Sequence, residues 1–237
     1  LGAITETMTD TRFDRIVRSV ELAGRSPIVR RSYFEDDETI LVAGSTWEPD
    51  ETIIIDATKH TKQNGLKIRV VFVPHEPTDE HLAKLEGRLG HSIRLSSLLS
   101  LAESGISDDL IRTQIARKHI VVDSIGKLLK LYSIADIAYI GGAFGAGVHS
   151  VTEPAGYGIP LATGSGYHNS PDAESLIGKR ALVSVSNSAE LALWLNDVCS
   201  RSELRESAGF AARDYVYSGS GSSPIVAERI LKLLGSC

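Results

Sequence analysis

The sequence predicts an α/β fold in which a parallel β-sheet is covered by helices on both faces. Apolar, β-branched runs alternate along the chain with longer segments of helical period, which is the pattern of repeated βα units. The strand-like runs are apolar at consecutive positions, as buried parallel strands are. With 237 residues, 42% of them hydrophobic, the chain is long enough to bury a full core.

Six segments have the length and the β-branched content of strands. They are residues 39–44, 67–74, 119–123, 137–141, 160–163 and 181–185. Other segments have helical period, and they are 12–23, 50–63, 79–89, 127–135, 154–158, 173–177, 189–199, 203–217 and 224–234. A second amphipathic pattern at 98–117 lengthens one crossover, and a Gly/Ser-rich turn at 218–223 precedes the last helix.

Composition excludes several classes of protein. A formal net charge of −5 gives no global positive field, which disfavours duplex nucleic acid as a partner. No apolar stretch approaches the roughly 18 residues of a membrane helix, and the first residues lack the pattern of a signal peptide, so the chain is predicted to be soluble. Cys199 and Cys237 are too few for a disulfide framework and lack metal-ligand spacing, which favours a reducing compartment.

Ligands of an open parallel sheet bind at the carboxyl ends of its strands, where unusual residues stand in this sequence. Gly44, Ser45 and Thr46 follow the first strand, and Ser45 with Glu48 has capping-box spacing. The segment is therefore either a capped helix start or a small-residue turn that a bound group approaches. Pro74–His75 ends the second strand, where His75 either meets a phosphate or ring atom or is only a surface residue.

Two further strand ends carry glycines. At 123–127, a buried strand gives way to a helix through Ser124 and Gly126, and Lys127 is placed to meet an anion or is simply solvated. At 141–160, four glycines follow a strand within seven residues, as expected where something must come close. The stretch from Gly145 and Gly147 ends in Ser150, so it is not a clean dinucleotide fingerprint.

Glu153 follows this glycine-rich stretch and has two interpretations. It completes a second capping box with Ser150, or its carboxylate accepts hydrogen bonds from two ribose hydroxyls while a helix N-terminus holds phosphate. A cap at Thr152 is a third arrangement, which would place Pro154 in the tolerant first turn.

The run at 121–160, VVDSIGKLLKLYSIADIAYIGGAFGAGVHSVTEPAGYGIP, resembles the donor-binding half of 3-deoxy-D-manno-octulosonic acid (Kdo) transferases. DTRFDRI, AGSTWEPDE and VFVPHEPTDEHL occur in the same order as in that family. These enzymes are glycosyltransferases of the two-domain GT-B type, so the resemblance implies a Rossmann-like C-terminal half. Its departures are His75 where the family often has arginine, Lys127 for glutamate, Ser150 for asparagine and Ile125 for methionine.

The resemblance implies a binding site for the CMP part of the sugar nucleotide CMP-Kdo. Its predicted residues form three groups, which are Pro74 and His75, then Ile125, Gly126 and Lys127, and then Ser150, Val151, Thr152 and Glu153. Loops predicted to support them contain Gly44, Ser45, Thr46, Gly145, Gly147 and His149. No catalytic residue is predicted in this chain, since the family's catalytic base, acceptor site and membrane anchor belong to an N-terminal domain. No metal site is predicted, because His75 and His81 lack the spacing of a zinc pair, and no cofactor is predicted either.

The same resemblance divides the chain into residues 1–15, a remnant of an interdomain segment, 16–218, the nucleotide-sugar domain, and 219–237, a helix that packs on the N-terminal domain. The expected reaction transfers Kdo to a lipid A precursor at the cytoplasmic face of the bacterial inner membrane, and the piece alone is expected to be inactive. Another nucleotide-sugar enzyme of the same fold, such as a UDP-sugar transferase or epimerase, remains the alternative. A dinucleotide oxidoreductase and a non-catalytic sugar-nucleotide module are weaker ones.

Overall fold

A single seven-stranded sheet forms the centre of the computed structural model, which describes residues 8–25, 27–63 and 65–234. The strands are β1 (Thr39–Thr46), β2 (Ile68–Pro74), β3 (Ser92–Arg94), β4 (His119–Val121), β5 (Ile137–Ile140), β6 (Leu161–Gly164) and β7 (Leu182–Val185). Their spatial order is β3-β4-β2-β1-β5-β6-β7, and every neighbouring pair is parallel. The predicted Rossmann-like α/β class is therefore confirmed.

Helices connect the strands and cover both faces of the sheet. They are α1 (Arg12–Gly24), α2 (Glu48–Gln63), α3 (Asp79–Leu89), α4 (Leu95–Glu103), α5 (Asp108–Gln114), α6 (Leu128–Leu131), α7 (Thr152–Gly156), α8 (Pro171–Gly178), α9 (Ser188–Ser200), α10 (Ser202–Ser218) and α11 (Ser222–Leu234). Short 3₁₀ turns occupy Arg31–Tyr33 and Tyr132–Ile134.

The hydrophobic core has two layers, one on each face of the sheet. Successive residues of β1 belong to different layers, since Ile40 and Val42 pack in one cluster while Leu41 and Ala43 pack in the other. This alternation follows from the two-residue period of a strand. Because both layers are apolar, β1 has no polar face, which explains the unbroken hydrophobic run in its sequence.

The six predicted strands are all present, with ends shifted by one to two residues. The three-residue edge strand β3 escaped prediction because its residues are only half-buried and lack an apolar run. The amphipathic pattern at 98–117 folds as two helices, α4 and α5, in the crossover between β3 and β4. The predicted helix at 127–135 is a single α-helical turn followed by a 3₁₀ turn.

The two ends of the described chain are joined by side chains. Asp14 on α1 accepts hydrogen bonds from the backbone N–H of Gly221 and of Ser223, at 2.6 and 2.9 Å. The predicted division at residue 15 falls within α1, and the one between residues 218 and 219 falls directly after α10. On α11 only Ser222 is buried, while residues such as Leu231 and Leu233 are exposed. The three-part division stays a prediction, and residues 1–7 and 235–237 lie outside the described part.

Strand order also decides where the predicted site residues lie. β4, β2, β1 and β5 are consecutive neighbours in the sheet, and each predicted site segment follows one of them. All four segments therefore emerge at the same, carboxyl edge of the sheet. Within the described residues, no helix is long and apolar enough to cross a membrane.

Candidate functional site

The end of β1 forms the floor of the candidate site. A side chain at Gly44 would run into the Tyr132 hydroxyl and Leu128, so glycine lets the segment after β4 lie on this strand. Ser45 has a left-handed φ of 52° and is the residue at which the register between β1 and β2 shifts. The predicted capping box of Ser45 and Glu48 is wrong, because Ser45 lies in the strand and Glu48 already begins α2.

Two buried carboxylates at the start of α2 organise this turn. Asp50, only 1% exposed, accepts hydrogen bonds from the N–H groups of Trp47 and Gly142, each at 3.0 Å, and from the Tyr139 hydroxyl at 3.0 Å. Burial raises the pKa of Asp50, although these bonds oppose the rise. Asp50 therefore ties the turn after β1 to the glycine-rich loop after β5.

Glu51, the next residue, is also buried and serves a different set of partners. It accepts from the Thr46 hydroxyl at 3.0 Å and contacts Nε2 of His81 at 2.9 Å. His81 Nδ1 lies 3.1 Å from the carbonyl of Glu76. The side chains of Thr46 and His81 thus hold the β1 and β2 loops together rather than facing a ligand.

Three aromatic rings form a stack above the ends of β1, β2 and β5. His75 lies between Trp47 and His149, with ring centroids 4.9 and 4.4 Å away. The Trp47 indole N–H donates to Nε2 of His149 at 3.4 Å, so the neutral ring carries its proton on Nδ1. Burial, then the neighbouring His75, lower the pKa of His149, while Asp50 opposes that effect. The predicted residues His75 and His149 are thus brought into direct contact.

The glycine-rich loop after β5 is held in a conformation that larger residues would disfavour. Gly142 has φ 97°, and a side chain there would meet the His149 ring and the carbonyl of Gly147. Gly147 has φ 123° and lies against the Asn169 amide, while Gly145 is at an exposed turn. Asn169 accepts from the N–H of Val148 at 3.0 Å and donates to its carbonyl at 3.3 Å, which fixes the loop.

The loop after β4 presents the second predicted group. Ile125 is 81% exposed, and Gly126 has φ 76°, a turn conformation that favours glycine. Lys127 is half-buried at the N-cap of α6, and Leu128 after it packs on Gly44. The Tyr157 hydroxyl donates to the carbonyl of Leu129 at 2.5 Å, which links this segment to the one that contains Glu153.

Glu153, in the first turn of α7, is half-buried beside Tyr132 and Tyr157. Within the described part of the chain its carboxylate has no hydrogen-bond partner and no ion pair. Burial raises its pKa, with Arg15 opposing, and the same carboxylate contributes to raising the pKa of Tyr157 to about 12. A partly desolvated carboxylate with free lone pairs is suited to accept hydrogen bonds from ligand hydroxyls.

The predicted capping box of Ser150 and Glu153 is wrong, and so is the alternative cap at Thr152. The N-cap of α7 is Val151, which is buried and makes no side-chain cap, and Thr152 is the first helical residue. Ser150 is exposed and its hydroxyl lies 3.4 Å from that of Thr152. Glu153 therefore does not cap α7, and helix capping does not explain why a glutamate stands at this position.

The structure gives the predicted residues different positions around the edge. Three of the predicted residues lie beneath the edge. Pro74 pairs with Thr46 inside the sheet, and Val151 and Thr152 are buried. His75, Ile125, Gly126 and Ser150 are exposed on it. Sequence reasoning missed the roles of Asp50 and Asn169. The acidic first turn of α2 was a signal for Asp50, whereas nothing near Asn169 in sequence indicated its partner.

Solved structures show which known fold this chain shares. The C-terminal CMP-Kdo binding domain of WaaA from Acinetobacter baumannii aligns with a TM-score of 0.59 and 17% identity, over 87% of this chain and 98% of that one. A glycosyltransferase from Rickettsia africae aligns with a TM-score of 0.55 and 12% identity, over 96% of this chain and 55% of that one. The fold is that of the C-terminal half of GT-B glycosyltransferases.

Sequence comparison finds Kdo transferases and a related bifunctional enzyme among the similar proteins. A Kdo transferase of Haemophilus influenzae is 25% identical over 209 residues, which are 86% of this chain and 45% of that protein. A Kdo transferase of Chlamydophila psittaci is 30% identical over 148 residues, 61% of this chain and 31% of that protein. A bifunctional glycosyltransferase/methyltransferase of Fusobacterium nucleatum is 30% identical over 188 residues, 77% of this chain and 27% of that protein.

No protein-family profile matches the sequence. The resemblance to the C-terminal domain of Kdo transferases is nonetheless confirmed by these relatives. The chain spans between 27% and 45% of the length of the curated relatives given above.

Proposed function

We propose that this chain is the donor-binding half of an inverting glycosyltransferase that moves Kdo from CMP-Kdo to a lipid A precursor in lipopolysaccharide synthesis. The observation that carries the proposal is the likeness of most of the chain to Kdo transferases and, in fold, to a CMP-Kdo binding domain. The geometry adds a half-buried carboxylate, Glu153, and the Trp47, His75 and His149 stack, at one edge of the sheet.

Each group of predicted residues has a role in this proposal. Glu153 accepts hydrogen bonds from the two ribose hydroxyls of CMP, because its oxygens have no partner of their own among the described residues. The exposed loop around Gly126 lets the nucleotide approach the backbone, with Lys127 beside its phosphate. His75, the exposed middle ring of the stack, contacts the phosphate or the base.

In the proposed reaction, an acceptor hydroxyl oxygen forms a bond to the anomeric carbon of Kdo while the bond from that carbon to the phosphate oxygen breaks. The bonding electrons leave with CMP, and the hydroxyl proton passes to a general base that we place in the N-terminal half of the whole protein. This chain stabilises the negative charge that develops on the leaving phosphate through fixed N–H groups and Lys127. No metal or cofactor takes part in the proposed step.

The acceptor substrate, the second domain and the cellular location are proposed for the whole protein and not for this chain alone. We propose that an N-terminal domain binds the lipid A precursor and holds the enzyme at the cytoplasmic face of the bacterial inner membrane. The exposed apolar residues of α11, among them Leu231 and Leu233, fit a helix that packs on that domain. This chain alone is then expected to bind CMP but to transfer no sugar.

A UDP-sugar enzyme of the same fold is the second candidate. HepE of Anabaena, solved with UDP and glucose, aligns over 99% of this chain and 57% of that one with a TM-score of 0.52 and 11% identity. Because that likeness concerns the fold, the choice of nucleotide separates the two candidates.

The test is thermal unfolding with CMP, UDP, UDP-N-acetylglucosamine or NAD at matched concentrations. A ligand at 100 times its Kd stabilises the folded state by about 2.7 kcal/mol, which for a chain of this size raises the Tm by about 5 to 10 °C. We expect this shift with CMP alone. A shift with UDP, a UDP-sugar or NAD and none with CMP would reject the proposal.

Glu153→Gln refines the test. Loss of hydrogen bonds to a charged acceptor, about 1.5 to 3 kcal/mol, should weaken CMP binding roughly tenfold or more. The Tm without ligand should stay within about 2 °C of the parent, since the carboxylate caps nothing and bonds to nothing in the described chain. Glu206→Gln, at an exposed position on α10, is the matched control and should leave both quantities unchanged.

A further inference from the structure

A groove of about 780 Å³ lies at the amino edge of the sheet, opposite the candidate donor site. It is bordered by the loop between α2 and β2 and by the loop between α5 and β4. Five cationic side chains line it, and they are Lys62, Lys67, Arg69, Arg112 and Arg117. The two carboxylates in the lining are Glu35 and Glu38. The groove is therefore basic within a chain whose net charge is −5.

Three of the five cations already have partners. The Arg69 guanidinium is buried, pairs with Glu38 at 2.5 Å and donates to the carbonyls of Ile115 and Lys118 at 2.8 and 3.0 Å. Because the Glu38 carboxylate is already paired with Arg69, its charge does not neutralise the other cations of the groove.

The other two paired cations lie at the border of the groove. Lys67 pairs with Asp37 at 2.6 Å, next to the exposed Glu35. Arg112 pairs with Asp109 at 2.7 Å and donates to the carbonyl of Ser32 at 3.1 Å. Their positive charges are offset. The remaining two cations have no ion-pair partner among the described residues, and Glu35 is the lining carboxylate left to oppose their two charges.

Lys62 and Arg117 have no hydrogen-bond or ion-pair partner for their side chains among the described residues. Lys62 is exposed near the end of α2, and partial burial of its ammonium group, together with the charge of Arg69, lowers its pKa. Arg117 is exposed and is held at a left-handed φ of 62°, a conformation that is unfavourable for L-residues and that glycine would adopt freely. Both cationic groups are therefore available to a ligand in the groove.

We propose that this groove is a second binding site and that it takes a phosphate-bearing anion, whose oxygens accept hydrogen bonds from Lys62 and Arg117. The site is separate from the CMP site, because the seven residues of β2 place about 20 Å between the two edges. It is also independent of the proposed function, since no residue of the donor site lines the groove. The phosphate belongs either to a free phosphorylated molecule or to a lipid headgroup.

The first arm of the experiment measures pyrophosphate binding by isothermal titration calorimetry and by ¹H–¹⁵N chemical shifts of the whole chain. We expect shifts at 62–69 and 112–118, and an affinity that decreases as NaCl screens the charges. Lys62→Gln combined with Arg117→Gly should weaken pyrophosphate binding at least about fivefold, the effect of one kcal/mol of lost charge interaction. Glycine at 117 suits the backbone, so this variant is expected to fold.

The second arm measures co-sedimentation with phosphatidylglycerol vesicles and with phosphatidylcholine vesicles. Binding to phosphatidylglycerol that the same double variant weakens identifies a lipid headgroup as the source, whereas an effect on pyrophosphate alone identifies a soluble ligand. Either result supports the site.

The matched control variant is Lys59→Gln with Arg180→Gly. Lys59 is exposed on the same helix as Lys62, and Arg180 has φ 59° at the same edge of the sheet, before β7. β7 and β4 are five strand spacings apart, about 24 Å, so Arg180 lies far from the groove. Equal losses in both double variants, or no loss in either arm, would overturn the proposal. The far-UV circular dichroism and the Tm of both variants, measured without ligand, report that each is folded.

Discussion

Asp50 shows how one side chain determines the shape of two loops. Its Oδ2 accepts from the N–H groups of Trp47 and Gly142, and its Oδ1 accepts from the Tyr139 hydroxyl. A buried N–H without a partner destabilises the folded state by about 1 to 3 kcal/mol, and this carboxylate supplies the acceptor for two N–H groups. It also lies beneath the ring stack, where Trp47 contacts both histidines.

We therefore predict losses of stability of different size for two substitutions of Asp50. Asp50→Ala leaves both N–H groups unpaired and should lower the free energy of unfolding by about 3 kcal/mol, or the Tm by about 6 to 12 °C. Asp50→Asn should cost less than about 1 kcal/mol, because its amide oxygen accepts from both N–H groups while its NH₂ donates to the Tyr139 oxygen. Urea unfolding measures both values. Similar losses for the two variants would show that the charge, and not the hydrogen bonding, stabilises the turn.

At the scale of the element, the conformation of the glycine-rich loop depends on hydrogen bonds from a side chain that is distant in sequence. Gly142 and Gly147 supply positive φ angles, and Asn169 brackets Val148 from the start of the segment that leads into α8. Because Asn169 is exposed, its two hydrogen bonds add little to global stability but hold the loop locally.

The prediction for this loop concerns local opening. Asn169→Ala should speed hydrogen exchange of the Val148 amide by about two- to tenfold, the value of one hydrogen bond of roughly 0.5 to 1.5 kcal/mol. Asn169→Asp keeps the acceptor but loses the donor, so its exchange rate should lie between those of the parent and Asn169→Ala. Hydrogen exchange followed by NMR measures the rate for the Val148 amide in the parent and in both variants, and so tests the predicted order of the three rates. An unchanged Val148 amide in Asn169→Ala would mean that the glycines alone fix the loop.

Elements with a long apolar or periodic signal were predictable from the sequence. β1 and β2 are buried on both faces, so their hydrophobic runs left no other interpretation. β3 was not predictable, because three half-buried residues at a sheet edge produce no pattern. The two predicted capping boxes failed for a related reason, since their spacing is local while the chain around Ser45 and Ser150 is set by its contacts across the sheet.

At the scale of the whole molecule, the edge that carries the candidate site was predictable and its internal contacts were not. Strand ends of a parallel sheet must share an edge, which brings His75 and His149 to one side. The contacts that shape this edge join distant positions, as Asp50 and Gly142 do across 92 residues. Such a pair has no signature in either local sequence, so neither the ring stack nor its support was foreseen.

Stability of the whole molecule should depend on pH through His119, at the start of β4. Its ring is 7% exposed, accepts at Nδ1 from the N–H of Val70 at 3.1 Å and packs edge-on against Phe72. Burial, then the charges of Lys62 and Arg69, lower its pKa to about 3. The unfolded chain binds this proton near pH 6.5. Between those values only the unfolded state is protonated, so stability falls as the pH falls.

The slope from this one histidine is about 1.4 kcal/mol per pH unit, or about 2.7 kcal/mol lost by pH 4.5. The raised pKa values of Asp50 and Glu153 act in the opposite direction, which makes a variant the informative comparison. His119→Leu should be less stable at pH 7.5 by about 1 to 3 kcal/mol, since the Val70 N–H loses its acceptor. Its stability should also decline less steeply towards acid, so that the two curves converge below pH 6. Urea unfolding from pH 4.5 to 7.5 measures both curves, and parallel curves would mean that His119 is protonated in the folded chain as readily as in the unfolded one.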